Sequence, residues 1–598
     1  MWLTRIVFAL LVIATAGAFV ITQRLKSSTP VVERVYFYQW VGPECRCEKA
    51  TVPMRFDLPE DDRVTVEIVD ERGDVVREIA ADVPRGVDRG GIRWRGRTAH
   101  FRWDGRDDDG RVAPDGVYRL RVTLRDEGRA VTAPRELNLD TRPPRPRIVE
   151  ASPPTFVPGL PPSHPRGRVR IRLSEGWDPA PEFEVWRTDA GRPRLVRRFS
   201  GPRFRRTAVW DGRDDRGRLV PDGVYAITVT TTDKAGNRGR SVARLTPAAA
   251  QPRTGVSARG LTLAAPLRPV EAGAVARVEV GPIARRLRWS LSRLGSSRPV
   301  ARGRADALEF GVRIPADART GVYLLRVLAA GRHAVAPIAV RGRGGGDVLV
   351  VLPAITWEGR NRIDDDRDGF ADTLDTAEAV RLERGFAHGR LPAGFEQTTG
   401  PLLRFLDRER LRYDLTTDLA LARGEGPGLD DAKAVVFAGD ARWLPGELNL
   451  RLRDWVERGG RIASFGVDSF RRRVDLAAEE LRDPSAPELR NLFGEETVEG
   501  PTPAGATPIT PTAGPELFQG ADVAIGLFTR LELSRSLAPG LRLVAAAGLD
   551  EARPALVAYR LGEGLVVRAG SSQWAAQLSA GDDVPAVTRN IWELLEGR

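Results

Sequence analysis

Two stretches of this 598-residue chain are near copies of each other, and that duplication constrains the fold more than any other feature. Residues 101–122 read FRWDGRDDDGRVAPDGVYRLRV, and residues 208–229 read AVWDGRDDRGRLVPDGVYAITV. Trp103 and Trp210 are separated by the same 107 positions as Tyr118 and Tyr225. That spacing fits a repeated whole domain and is well above a solenoid period. Each copy reads as a strand ending in a tryptophan large enough to plug a sandwich core. Asp-Gly, Asp-Asp-x-Gly and Pro-Asp-Gly then make three turns, with glycine tolerating positive φ. A strand with partly alternating apolar residues follows, Val117, Leu120 and Val122 in the first copy. The second copy continues as VYAITVTTTD, rich in β-branched residues.

The W-D-G-R-D-D-x-G-x-x-x-P-x-G-V-Y pattern resembles the Ig-like domain of the flagellar hook-capping protein, which is appended to many bacterial surface proteins. The resemblance covers two copies, roughly residues 51–247. Asp107, Asp108, Asp214 and Asp215 have calcium-ligand chemistry, but aspartates of this kind more commonly form turns. A third copy is weaker: residues 314–327, IPADARTGVYLLRV, keep only the last Gly-Val-Tyr strand, so 256–341 is expected to be a divergent β-sandwich. The expected partition is Ig-like domain 1 over 51–140, a stiff Pro-rich linker over 141–165 and Ig-like domain 2 over 166–247. Residues 248–255 and the RGRGGG run ending at Gly346 mark the remaining boundaries.

Ahead of the repeats, Arg5 precedes an uncharged apolar run over residues 6–21, IVFALLVIATAGAFVI, with Arg24 and Lys26 behind it. The stretch is about long enough to cross a bilayer. Small residues at 14–18 suit a signal peptidase, but Phe19, Val20 and Ile21 carry the apolar run past them and favour an uncleaved anchor over 1–26. The expected location is the cell membrane, single-pass, with the bulk of the chain extracytoplasmic. Residues 27–50 are expected to be a linker holding the only two cysteines, Cys45 and Cys47. A local disulfide, an intermolecular bridge and a lipid attachment all fit that pair, whereas no zinc spacing is completed. The net charge is +12, but arginines are interspersed with 80 acidic residues and form no basic stripe. Nucleic acid is therefore not the expected partner; the membrane, and a cell-envelope polymer or protein, are.

After Gly346 the texture changes to strand–helix alternation, which predicts a parallel sheet covered by helices. Residues 347–352 (DVLVVL) and 432–438 (AKAVVFA) read as buried strands, 444–457 as an amphipathic helix closed by Gly459-Gly460, and 461–465 as a third strand. Residues 556–560 and 565–569 flank Gly562-Glu563-Gly564 as a hairpin-like pair, and 586–595 is a terminal helix. The region 347–598 looks like an α/β flavodoxin-like, class I glutamine-amidotransferase-like fold. More closely, LPAITWEGRN, DWVERGGRIASFG and GEGLVVRAGSSQWA resemble the C-terminal domain of the N,N-dimethylformamidase β-subunit-like family.

That resemblance implies, for the founding enzyme, an amide hydrolase with one iron held by two tyrosines and a glutamate. This chain departs where it matters. Arg360 stands where the family's T-W-x-A-Y-N stretch has its tyrosine, and Gly439 to Trp443 lack the histidine and tyrosine of G-H-D-E-Y-W. Only Tyr413 and Tyr559 remain in the domain, outside any matching motif, so iron is not expected. The domain has no cysteine nucleophile and no Gly-x-Ser-x-Gly elbow, and His388 is its only histidine. By position near strand ends, Asp440, Asp468, Arg360 and Gln573 are the catalytic candidates.

The clearest chemical motif is DDDRDGFADTLD, residues 364–375. Asp364, Asp366, Asp368, Asp372 and Asp375 occupy positions 1, 3, 5, 9 and 12 of a calcium-loop template, with Gly369 at the sharp turn and Phe370 offering its carbonyl. The loop is expected to follow a strand directly and to hold structural calcium. The leading expectation is thus a surface binding protein with an Ig-like stalk and a catalytically degenerate domain. The alternative is an extracytoplasmic hydrolase of amide or glycan-like substrates.

Overall fold

The computed structural model describes residues 2–26, 31–282, 286–502 and 505–598. It is mostly β, with 41% strand against 15% helix.

The chain starts as the helix Trp2–Lys26, whose window Thr4–Ile21 has no buried share. Its length and composition suffice to cross a membrane, and a signal sequence would meet the same test.

Three sandwiches follow, and they share one topology. In each, a three- or four-stranded sheet faces a five-strand path that starts with a short parallel pair. That pair joins Trp40–Val41 to Leu137–Leu139, Thr155–Phe156 to Gly255–Ala258, and Val270–Glu271 to Arg332–Arg341. Trp103 packs edge-on to Tyr118 at 5.1 Å and Trp210 does so with Phe156 at 5.2 Å, both tryptophans being fully buried. The hydroxyls of Tyr118, Tyr225 and Tyr323 donate to the carbonyls of Pro114, Pro221 and Arg319, four residues back in every case. The third sandwich therefore keeps the tyrosine clasp of the other two while losing their tryptophan motif. Trp289 stacked on Phe310 is its nearest counterpart.

The expected linkers are corrected by strand pairing. Residues 27–30 lie outside the described residues, but Glu33–Phe37 pairs with Val52–Asp57 and Trp40–Val41 joins the opposite sheet. Most of the presumed 27–50 linker is thus sandwich. Within 141–165, Ile148–Ser152 pairs with Val169–Leu173, and Thr155–Phe156 pairs with Gly255–Ala258. The latter strand also pairs with Gly223–Thr232, so the second sandwich reaches Ala258 and not 247. Proline hid these strands because it removes donors only where no ladder bond is needed, at edges and strand ends.

Cys45 and Cys47 are joined to each other. The tight loop they close seats on the second sandwich: a Cβ on Gly236 would lie 2.4 Å from Cys47 Sγ. Lys49 Nζ donates to the Lys234 carbonyl at 2.6 Å, and Asn237 Nδ2 to that of Asp140 at 2.8 Å.

The remaining chain forms a nine-stranded sheet. Its first five strands, Tyr413–Thr417, Val348–Leu352, Ala434–Phe437, Arg461–Ser464 and Gly564–Ala569, are parallel neighbours. Four antiparallel strands, starting with Pro554–Leu561, complete it. Every residue of Val348–Leu352 is buried. Val348, Val350 and Leu352 enter one apolar cluster and Leu349 and Val351 another, the mark of a strand covered on both faces. The amphipathic helix is Gly446–Glu457, preceded by a short strand Trp443–Pro445, and the terminal helix is Asp583–Glu596.

Candidate functional site

The acidic loop begins after a six-residue helix, Ala354–Gly359, and not directly after the strand Val348–Leu352. The correction follows from packing: all six residues are buried, so TWEG folds into the core before the chain emerges.

Backbone amides shape the loop. Those of Asp368 and Gly369 donate to the two oxygens of Asp364 at 3.1 and 3.0 Å, and that of Phe370 donates to Asp368 at 2.7 Å. The amide of Asp365 donates to Asp372 at 2.6 Å. Gly369 has φ of +92°, the turn that the template assigns to glycine. The result brings one oxygen each from Asp364, Asp366 and Asp372 within 4.8 Å of one another. Burial, reinforced by neighbouring carboxylates, pushes Asp364 up to about 8. Burial likewise lifts Asp368 to about 7 and Asp372 to about 6. Asp375 stands apart and accepts from Arg442 at 3.4 Å.

The loop docks on the second sandwich. Gly255 donates its amide to the Arg367 carbonyl at 2.7 Å, and a Cβ on Gly369 would lie 2.6 Å from Ala226 Cα. Arg362 donates to the carbonyl of Asp189 at 2.8 Å. This contact explains why the strand Gly223–Thr232 is buried at almost every position, where a surface strand would alternate. A cleft of about 1040 Å³ opens between the two units, walled by Asp366, Asp372, Asp375, Arg360, Arg362 and Asp189.

Of the catalytic candidates, three gather at the carboxyl ends of the parallel strands. Arg360 pairs with Asp440 at 3.6 Å, and Asp440 accepts the Val467 amide at 3.0 Å. Burial raises the Asp440 carboxyl above its ordinary range, opposed by that amide and by Arg360. Asp468 is held by Arg442 at 2.8 Å and by Arg471 and Arg472. Arg442 thereby links Asp468 to Asp375 of the loop. Gln573 is not brought to Asp440: its Oε1 accepts the amides of Thr529 and Arg530, a cap for that turn.

Two buried groups had no signal in the sequence. Glu358 is fully buried, and Arg384 donates to its side chain at 3.2 Å, to its carbonyl at 2.6 Å and to Asp365 at 2.8 Å. Burial lifts Glu358 to about 7. Asp418, also fully buried, accepts the amides of Ile355 and Leu419 through Oδ1, while Oδ2 has no partner. Burial lifts it to about 7. Asp418 is a single charged residue in the run LTTDLALA, and Glu358 sits where an apolar run gives way to GRNR, so periodicity flags neither.

The two tyrosines sit in separate apolar clusters. Tyr413 donates to Asp407 at 3.0 Å beneath the third sandwich. Tyr559 is buried in the cluster that contains Val557 and Val566. Burial raises both phenols.

Residues 42–128 match the family described as FlgD Ig-like domain, and residues 307–496 the family described as N,N-dimethylformamidase beta subunit-like, C-terminal. The second match begins inside the third sandwich and stops short of the strand Gly564–Ala569. Among solved structures, a Salmonella alpha-2-macroglobulin is similar at 10% identity and TM-score 0.18. The alignment covers 52% of this chain and 23% of that one. An I-band fragment of titin is similar at 12% identity and TM-score 0.19, over 49% and 93% of the two chains. A Dscam isoform follows at 14% and 0.15, over 53% and 73%. No curated protein matches the sequence.

Proposed function

We propose that this chain is a membrane-held extracytoplasmic binding protein. Its Ig-like modules act as a stalk, and its C-terminal domain keeps an amidotransferase-like scaffold without the iron chemistry of the family it resembles. The strand order of the parallel sheet supports a flavodoxin-type reading, because the second strand in sequence flanks the first and the third and fourth follow on the other side. Arg360 in place of a tyrosine, and two buried phenols in separate apolar clusters, do not fit a phenolate-bound iron; no step is derived through that metal.

The observation that carries the reading is the amide-tied cluster of Asp364, Asp366 and Asp372. Three carboxylates this close, two of them lifted by burial, are costly as anions unless a cation neutralises them. Oxygen-only donors suit calcium, which is abundant outside the cell, so weak affinity suffices. Bound there, the ion would brace the loop against the second sandwich and fix the cleft beside it. Calcium titration of the full chain in detergent, read by thermal unfolding, tests this. A saturable rise in Tm that Asp366→Ala abolishes is expected, and no rise in the unaltered protein would end the proposal.

A second reading, hydrolysis of an amide or glycan-like substrate, draws support from Asp440. A buried carboxyl whose pKa burial raises, beside an arginine at a strand end, has the character of a general acid. Turnover of such a substrate that Asp440→Asn removes would favour it.

A further inference from the structure

A second cavity, of about 310 Å³, lies where the second sandwich, the third sandwich and the C-terminal domain meet, on the far side of the acidic loop's attachment at Gly255. One wall comes from the last strand of the second sandwich. Val256 and Ala258 point into that sandwich's core, so Gly255, Ser257 and Arg259 share the opposite face. Gly255 meets the backbone of Gly369 on that face, which leaves Ser257 and Arg259 directed at the cavity. Ser257 is only 4% exposed, and its hydroxyl has no hydrogen-bond partner among the described residues. The facing wall supplies Arg367 from the loop, Arg381 from the strand Ala379–Arg381, and Arg384.

The charges on this cavity are unevenly satisfied. Arg384 is committed to Glu358 and Asp365. Asp364 and Asp365 are engaged by loop amides, by the Arg381 amide and by Arg384. By contrast, the guanidiniums of Arg259, Arg367 and Arg381 have no carboxylate partner among the described residues. Glu279 and Glu383 also line the cavity; both are exposed, as Arg367 and Arg381 are, so water screens all four. Burial pulls the Arg259 pKa down, opposed by the attraction of Asp365, Asp364 and Asp222.

We infer that this cavity binds a phosphate-class oxyanion. Guanidiniums from three separate elements and a buried hydroxyl give donors from several sides. A tetrahedral anion accepts on all of its oxygens, whereas a planar carboxylate presents one edge. The volume, near the low end for ligand sites, takes free phosphate or the terminal phosphate of a larger molecule. Arg367 lies within the acidic loop, but Ser257, Arg259 and Arg381 lie outside it, so substitutions there test the inference apart from the calcium reading.

Isothermal titration of the detergent-solubilised full chain with inorganic phosphate tests it. One saturable site is expected, weakened about tenfold by Arg259→Gln and by Arg381→Gln, and unchanged by Arg535→Gln on a remote exposed strand. Arg381 is exposed, so its variant keeps the test valid if Arg259→Gln fails to fold. A sugar phosphomonoester binding more tightly than phosphate assigns the site to a terminal phosphate. Tighter binding of inorganic phosphate assigns it to the free ion. Non-saturable binding, binding of neither ligand, or a site indifferent to both substitutions overturns the inference.

Discussion

The hydroxyl of Thr188 donates to the carbonyl of Gly369 at 2.5 Å, across 181 residues of sequence, and Thr188 also reaches the carbonyl of Val224. A single buried side chain thus ties the central strand of the second sandwich to the turn of the acidic loop. The second sandwich and the C-terminal domain share that joint.

At this joint no room exists for a side chain. A Cβ on Gly255 would lie 2.0 Å from Gly369 N, and one on Gly369 would meet Ala226 while adopting a φ of +92°. Gly369→Ala is therefore expected to cost roughly 1–3 kcal/mol in backbone strain and to undock the loop. Limited proteolysis should show faster cleavage between residues 363 and 376; unchanged cleavage would contradict the packing.

Calcium removal should resemble that substitution. Chelation of the unaltered chain is expected to lower Tm and expose the same loop to protease, with re-addition restoring both. Asp366→Ala should respond to neither treatment. Asp375→Ala should retain most of the response, since Asp375 is paired with Arg442 and stands outside the cluster.

The buried Asp418 sets a pH dependence remote from the loop. Its pKa in the fold is about 7, above the ordinary 3.8, so the native state holds a proton that the unfolded chain releases. Its contribution to stability is full below about pH 4 and is lost as pH rises through 7. Asp418→Asn should flatten that decline, because the amide presents a donor at the unpartnered Oδ2 position. Thermal unfolding from pH 5 to 8 is the measurement; parallel curves for the two proteins would refute the assignment.

The tyrosine clasps give a test of the shared topology. Tyr118→Phe, Tyr225→Phe and Tyr323→Phe each remove one hydroxyl bond to a carbonyl four residues back. Each is expected to cost about 1 kcal/mol. Trp210→Ala, which empties a fully buried site, should cost roughly 3–5 kcal/mol. Chemical denaturation followed by tryptophan fluorescence separates the two classes.

Much of this architecture was legible in the residues. The Trp-Asp-Gly and Gly-Val-Tyr punctuation located the repeated modules, because turns and core plugs leave local signals. The buried strands around Val350 and Val436 were readable as apolar runs. The edge strands Thr155–Phe156 and Trp40–Val41 were not, being two residues long and set among prolines or polar residues. In the site, the spacing of Asp364, Asp366 and Asp372 named the cluster. Nothing local could reveal that Asp375 turns to Arg442, that Glu358 and Arg384 meet, or that Arg259 and Arg381 line one cavity. Those relationships join elements distant in sequence.

The bridge between Cys45 and Cys47 ties the contact between the first two sandwiches to the redox state of the chain's surroundings. Thiols stay reduced in a reducing compartment and pair in an oxidising one. With the pair reduced, the segment over Gly236 has no covalent loop to seat there. Oxidation supplies that loop, so one short bond formed outside both β-sheets helps set how the first two modules meet.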